Sequence, residues 1–271
     1  MNGASRDALA AARERLDALT DSTSVDAAQL ADELAAVTAL LHREVSLRRV
    51  LTDPAQPGEA KAVLAQRLLG GQVGGTTADL VSGLVRSRWS QPRDLVDALE
   101  ELANTAELTV AQRAGLLDDV EDELFRFGRI VASSTELRAA LTNRAAGKAA
   151  KGELLGSLLG GRANAVTERL VTRLVTVPRG RSLEAGLESL SKLAAARRDR
   201  MVAVVTSAVP LSDGQKRRLG EALAKLYGRR MHLNLDVDPD VLGGIRVQVG
   251  DEVINGSIAD RLEEAARRMA S

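Results

Sequence analysis

The chain has 271 residues and balances 37 Lys and Arg against 37 Asp and Glu, so it carries no net field to steer it toward nucleic acid or an anionic bilayer. Apolar residues make up 45%, mostly Ala, Leu and Val, and aromatics 1%, which suits packed helices but not the stacking platforms that hold single-stranded nucleic acid. The lack of cysteine excludes disulfides and thiolate chemistry and fits a reducing compartment, and no apolar run approaches the roughly 20 residues that cross a bilayer.

The opening residues, MNGASRDALAA, lack the apolar core of a signal peptide, so any membrane association is expected through a partner. Residues 5–19 read as a helix with Leu9, Ala12, Leu16 and Leu19 on one face. Ser24 or Asp26 can start the next helix, which carries Leu30, Leu34, Val37 and Leu41. Short helices follow at 45–51, closed by Asp53-Pro54, and at 59–69, closed by Gly70-Gly71. Two more are expected at 76–89 and 92–106. Short helices joined by short loops predict a compact bundle.

The pattern then recurs 90 residues on, with residues 32–85 aligning without a gap on 122–175. Asp32-Glu33-Leu34 returns as Asp122-Glu123-Leu124, and the LLGG ending at Gly71 returns ending at Gly161. Lys61, Leu64, Thr77 and Leu80 return as Lys151, Leu154, Thr167 and Leu170. This predicts an internal duplication: a first bundle over 1–105 and a second over 93–198, with the helix 92–106 shared between them. Leu64 and Leu154, like Leu80 and Leu170, are expected at equivalent core sites. A long helix at 182–198, with Leu183, Leu187, Leu190 and Leu193 inward, closes the helical part.

The last part, 199–271, reads as a small α/β domain. Residues 201–206 are a β-branched run. Ser212 with Gln215 makes a capping box for a helix that buries Leu219, Leu223 and Leu226 and stops at Gly228. Leu233, Leu235 and Val237 alternate with polar residues, as do Ile245, Val247 and Val249, giving two strands separated by the Gly243-Gly244 turn. Gly250-Asp251 turns into a short strand at Val253-Ile254. Ser257 and Asp260 then start a final helix whose stripe is Ile258, Leu262, Ala265, Ala266 and Met269, with Leu262 expected against the strands. The fold class is therefore mainly α, with two tandem bundles followed by a small α/β domain.

No chemistry-bearing set emerges. The histidines, His42 and His232, have no ligand-spaced partners, and nothing suggests a metal or cofactor. The GGQVGG run ending at Gly75 lacks the Lys-Ser/Thr of a phosphate loop and reads as a helix stop. Asp236, Asp238 and Asp240 lack the glycine and glutamate of a calcium loop, and Asn255-Gly256-Ser257 reads as a turn plus cap. Arg197-Arg198-Arg200 and Lys216-Arg217-Arg218 are read as solvated faces; the competing reading is a nucleic-acid-binding or regulatory adaptor.

The segment DPDVLGGIRVQVGDEVINGSIADRLEEA, beginning at Asp238, resembles the C-terminal signature of the delta subunit of bacterial F-type ATP synthases, the oligomycin-sensitivity-conferring protein family. The likeness extends upstream through 203–230 and more weakly into the helical part. It implies a non-catalytic peripheral-stalk subunit, one per complex, on the cytoplasmic face of the membrane. Its helical part would hold N-terminal helices of the alpha subunits and its C-terminal part the b subunits, so that proton flow drives ATP synthesis. The family has one helical domain, and the second bundle here joins the α/β domain as that one does. The resemblance therefore implies an alpha groove between the helices 92–106 and 167–177, lined by Leu95, Leu99, Leu102, Leu170 and Leu174, and stalk contacts at Gly244, Ile258 and Leu262.

Overall fold

The computed structural model describes residues 3–21, 24–198, 201–227, 231–239, 241, 244–249 and 252–255. The chain divides into two units, Met1–Arg197 and Arg198–Ser271. Among the described residues the first unit is all helical: α1 (Gly3–Asp21), α2 (Ala27–Arg43), α3 (Val45–Thr52), α4 (Gly58–Leu69), α5 (Gly75–Arg86), α6 (Pro92–Arg113), α7 (Leu117–Ser133), α8 (Thr135–Thr142), α9 (Lys148–Leu159), α10 (Ala165–Thr176) and α11 (Leu183–Arg198).

The bounds of α2, α3, α4 and α5 recur in α7, α8, α9 and α10, each 90 residues on. The residues that mark the sequence repeat have matching physical jobs. The Glu33 carboxylate accepts from the Gly74 amide at 3.0 Å and from the Thr77 hydroxyl, fixing α2 to the N-terminal end of α5. Glu123 does the same on α7, accepting from the Asn164 amide at 2.9 Å and from the Thr167 hydroxyl. Negative charge at those helix starts also suits the dipole. The two glycines of LLGG differ in role. A Cβ at Gly70 would lie 2.9 Å from the Gln66 carbonyl oxygen, and Gly71 sits at φ 75°. Gly160 crowds the Gly156 carbonyl in the same way, and Gly161 has φ 69°.

Two apolar cores result. The first runs from Ala8 to Ala106 and the second from Leu108 to Ala194. Leu80 and Leu170 are each 1% exposed, in the first and second core, while Leu64 and Leu154 pack against the edges of those cores. Helix α6 serves both: Leu95, Leu99 and Leu102 lie in the first core, Leu108 and Ala111 in the second. It runs on past the expected stop at Ala106 because residues 107–113 offer this second buried face before any glycine intervenes; Gly115, at φ 69°, follows the helix. Helix α5 stops at Arg86 rather than at Trp89. The indole turns inward, 7% exposed, and its Nε1 donates to the Leu84 carbonyl at 2.8 Å.

The second unit contains β1 (Met201–Ser207), α12 (Asp213–Tyr227), β2 (Met231–Val237), β3 (Ile245–Val249) and β4 (Glu252–Asn255). The sheet order is β2-β1-β3-β4, with β1 parallel to β2 and antiparallel to β3, and β3 antiparallel to β4. The parallel step requires a crossover, which α12 supplies. The capping box forms: the Ser212 amide donates to Gln215 Oε1 at 2.8 Å and the Gln215 amide to Ser212 Oγ at 3.4 Å. Ala203, Val205, Leu223 and Val247 make the core, with Leu219 and Leu233 against it. Leu226 is 66% exposed, so α12 buries a narrower stripe than its leucines predict. Leu235 and Val237 of β2 are also exposed. The expected final helix, with Ile258 and Leu262, lies outside the described residues.

Candidate interaction surfaces

The leucines expected to line an alpha groove are core residues. Leu95, Leu99 and Leu102 are 0% exposed, Leu170 1% and Leu174 6%. The two sets belong to different cores and do not converge on a free surface. Helix α2 of the first bundle lies across α6 and α10. Arg173 of α10 reaches Asp32 of α2 at 2.6 Å and Glu107 of α6 at 2.8 Å; Arg169 adds a bond to Glu107 at 2.6 Å. The space left is a cleft of about 70 Å³ lined by Ala35, Thr38, Ala103, Asn104, Leu170 and Leu174 among others. A helix roughly 10–12 Å across does not enter it.

The junction between the bundles is ionic as well as apolar. The Arg179 side chain is 4% exposed and its backbone is held at φ 52°. It donates to the Val96 carbonyl at 3.2 Å and pairs with Glu100 at 2.6 Å and with Asp97. Arg197 of α11 pairs with buried Asp17 of α1 and donates to Gln112 at 2.6 Å. Arg113 donates to the Val25 carbonyl at 2.8 Å. Arginine suits these sites because its planar fork satisfies several acceptors at once. Nothing in the sequence repeat marks Arg179 or Arg197 for this work. The available signal is a negative one: Arg179 stands 90 residues after Trp89, where a repeat would place an aromatic.

The basic clusters differ in exposure, and Arg198, Arg217 and Arg218 are exposed. Arg197 is 7% exposed and used internally, and Lys216 pairs with Asp213 at 3.1 Å. The GGQVGG loop faces the Glu33 carboxylate, which repels phosphate. Burial pushes that carboxyl up, but the hydrogen bonds from Thr77, Gln29 and Gly74 outweigh it and hold it below its ordinary value. Burial lowers His42, and Arg179, Arg48 and Arg93 lower it further, against a smaller opposing pull from Glu100. Burial also lowers Lys61. Among the described residues no His, Cys, Asp and Glu cluster fits a metal ion, and no helix is long and apolar enough to cross a membrane.

Among the described residues, two further regions bear on binding. On α1 and α5, the counterparts of α6 and α10, Ala11 and Ala18 are exposed, and Gly83 stands where α10 has Arg173, with the Arg15 guanidinium of α1 3.2 Å from where its Cβ would lie. Between α8, α9, the end of α10 and the start of α11 lies a groove of about 970 Å³ with a cationic rim. Gly244, expected to touch the stalk, is exposed at φ 86°.

The sequence model of the ATP synthase delta (OSCP) subunit matches residues 104–269. ATP synthase subunit delta of Streptomyces coelicolor is 83% identical over 271 residues, covering 100% of this chain and 99% of that one. The Streptomyces griseus protein of the same name is 81% identical over 270 residues, covering 100% of both chains. That of Thermobifida fusca is 49% identical over 272 residues, again covering 100% of both. A chain in a solved Toxoplasma gondii mitochondrial ATP synthase is 20% identical, covering 62% of this chain and 95% of its own length, at a TM-score of 0.28, too low to speak to the fold. On the family match and these full-length relatives, the chain belongs to the ATP synthase delta (OSCP) subunit family.

Proposed function

We propose that this chain clamps N-terminal helices of the alpha subunits of an ATP synthase through its helical unit and the b subunits through its C-terminal unit, one copy per complex. Membership of the family makes it a non-catalytic stator subunit of ATP synthase. As such it resists rotor torque, so that proton flow through the complex is spent on ATP synthesis. It would sit peripherally at the cytoplasmic face of the membrane, held there by its partners.

The observation that carries this reading is the match over 104–269, which spans the second bundle and the α/β unit. It supports assigning that part, domains 93–198 and 199–271, the place of the family's single helical domain and its tail. Relatives that align over their whole length carry the first bundle as well. The first bundle, 1–105, lies largely outside that match, shares α6 with the second, and repeats its helices, so that it presents an equivalent face. Because Asp32 of α2 pairs with Arg173 of α10 over a narrow cleft, we assign the alpha helix to the counterpart face between α1 and α5 in place of the groove read from the sequence. Apolar contact in a groove supplies the affinity, and holding head and stalk through two units multiplies it.

Membranes depleted of this chain are expected to hydrolyse ATP without pumping protons, and adding the purified chain back to restore pumping. Proton pumping that persists in its absence would refute the stator role.

A further inference from the structure

The groove bounded by α8, α9, α10 and α11 has about 970 Å³ of free space. Ala139 and Pro178, both exposed, and partly exposed Ala146 are its accessible apolar lining, over a base of the buried core residues Leu141, Leu174, Val175 and Leu183. Arg138, Arg144, Lys148, Lys151 and Arg181 give it a cationic rim, against one carboxylate, Glu184, which stands 3.6 Å from Arg138. Arg181 is engaged by Glu100. Among the described residues Arg144, Lys148 and Lys151 make no side-chain hydrogen bond or ion pair, although Lys151 is 8% exposed and borders the groove.

The first bundle shows that the fold does not need these charges. The counterparts of α8, α9 and α10 have the same bounds 90 residues earlier, yet Arg144, Lys148 and Arg181 correspond to Pro54, Gly58 and Gln91. Lys151 corresponds to Lys61, whose ammonium is used, donating to the Ser87 carbonyl at 3.4 Å. There Trp89 helps fill the region, leaving separate spaces of about 370 and 330 Å³. In the second bundle Arg179 replaces the indole and turns to α6, leaving the groove open. Helix α9 also begins with Lys148 and has no acid in its first turn, whereas α4 has Glu59 there, so the positive end of the α9 dipole carries added positive charge.

We propose that this groove binds an acidic amphipathic helix of another protein. Its apolar stripe would lie against Ala139, Ala146 and Pro178, and its carboxylates would meet Arg144, Lys148 and Lys151 and complete the α9 terminus. The site is separate from the α1–α5 face, so its failure leaves the alpha-subunit reading intact.

The test uses the full chain and a labelled synthetic helix of about 18 residues, or five turns, with a leucine stripe flanked by glutamates. Fluorescence anisotropy is measured against the same peptide with each Glu replaced by Gln. The acidic peptide is expected to bind at least about tenfold more tightly and to weaken as salt rises. The double variant Arg144→Glu, Lys148→Glu changes exposed residues only; it should lose at least about tenfold in affinity with a thermal midpoint no lower than that of the wild type, since Glu at position 148 suits the α9 dipole. Lys148→Ala serves as a milder second variant. Equal binding of the Gln peptide, or no loss in either variant, would overturn the proposal. So would binding of inorganic phosphate or phosphatidylglycerol vesicles at this rim while the peptide is ignored.

Discussion

Leu170→Ala tests whether the two bundles behave as one body. Leu170 is 1% exposed in the second core, so the truncation costs about 2–5 kcal/mol through lost burial and a residual cavity. In a unit of this size each kcal/mol moves the midpoint by about 2–4 °C, so the transition should fall by about 4–20 °C. The only tryptophan, Trp89, lies in the first core and reports on that core alone. Far-UV circular dichroism reports on every helix. Helix α6 belongs to both cores, and Arg179, Arg197 and Glu107 tie the bundles with buried charges. Both probes should therefore shift together in Leu170→Ala, and again in Leu80→Ala on the other side. If part of the circular dichroism is lost early while the Trp89 transition stays in place, the bundles unfold separately and the junction does not couple them.

Arg197→Ala takes the guanidinium away from Asp17 and Gln112 in a buried setting; denaturant unfolding should show a loss of about 3–5 kcal/mol, and a loss below about 0.5 kcal/mol would make the pair inconsequential. Gly186→Ala should destabilise by about 1–3 kcal/mol although alanine is the better helix former, because the added Cβ would lie 2.9 Å from Leu174 Cδ2 and closer still to Cδ1; a gain in stability would refute that crowding. Glu33 titrates below its unfolded value of about 4.3, so its contribution is present above that pH and is lost as pH falls through the folded value. Glu33→Gln should accordingly differ from wild type at neutral pH and converge with it in acid, as followed by denaturant midpoints over a pH series.

Much of the helical unit was legible because its markers have local causes. LLGG marks two helix ends that need a missing Cβ and a positive φ, and DEL supplies the glutamate that fixes a neighbouring helix start. The site was less legible. Leucine spacing in α6 and α10 reports that a face is buried, but burial in the chain's own core and burial under a partner helix give the same pattern, and Leu99 proved to be the former. Leu226 and Val237 fail in the opposite direction, since apolar periodicity does not tell whether a neighbouring element covers the face. The Arg179 junction and the cations at 144, 148 and 151 carry no periodic signal. They stand out only when the bundles are compared position by position, against Trp89, Pro54, Gly58 and Lys61.

Isothermal titration of the intact chain with a peptide from the N-terminus of an alpha subunit tests the account most directly. Saturable binding with a negative heat-capacity change, as apolar burial requires, is predicted, and Gly83→Arg should abolish it while the fold survives. Absence of binding would contradict the stator clamp, and full binding to the Gly83→Arg variant would remove the α1–α5 face from it.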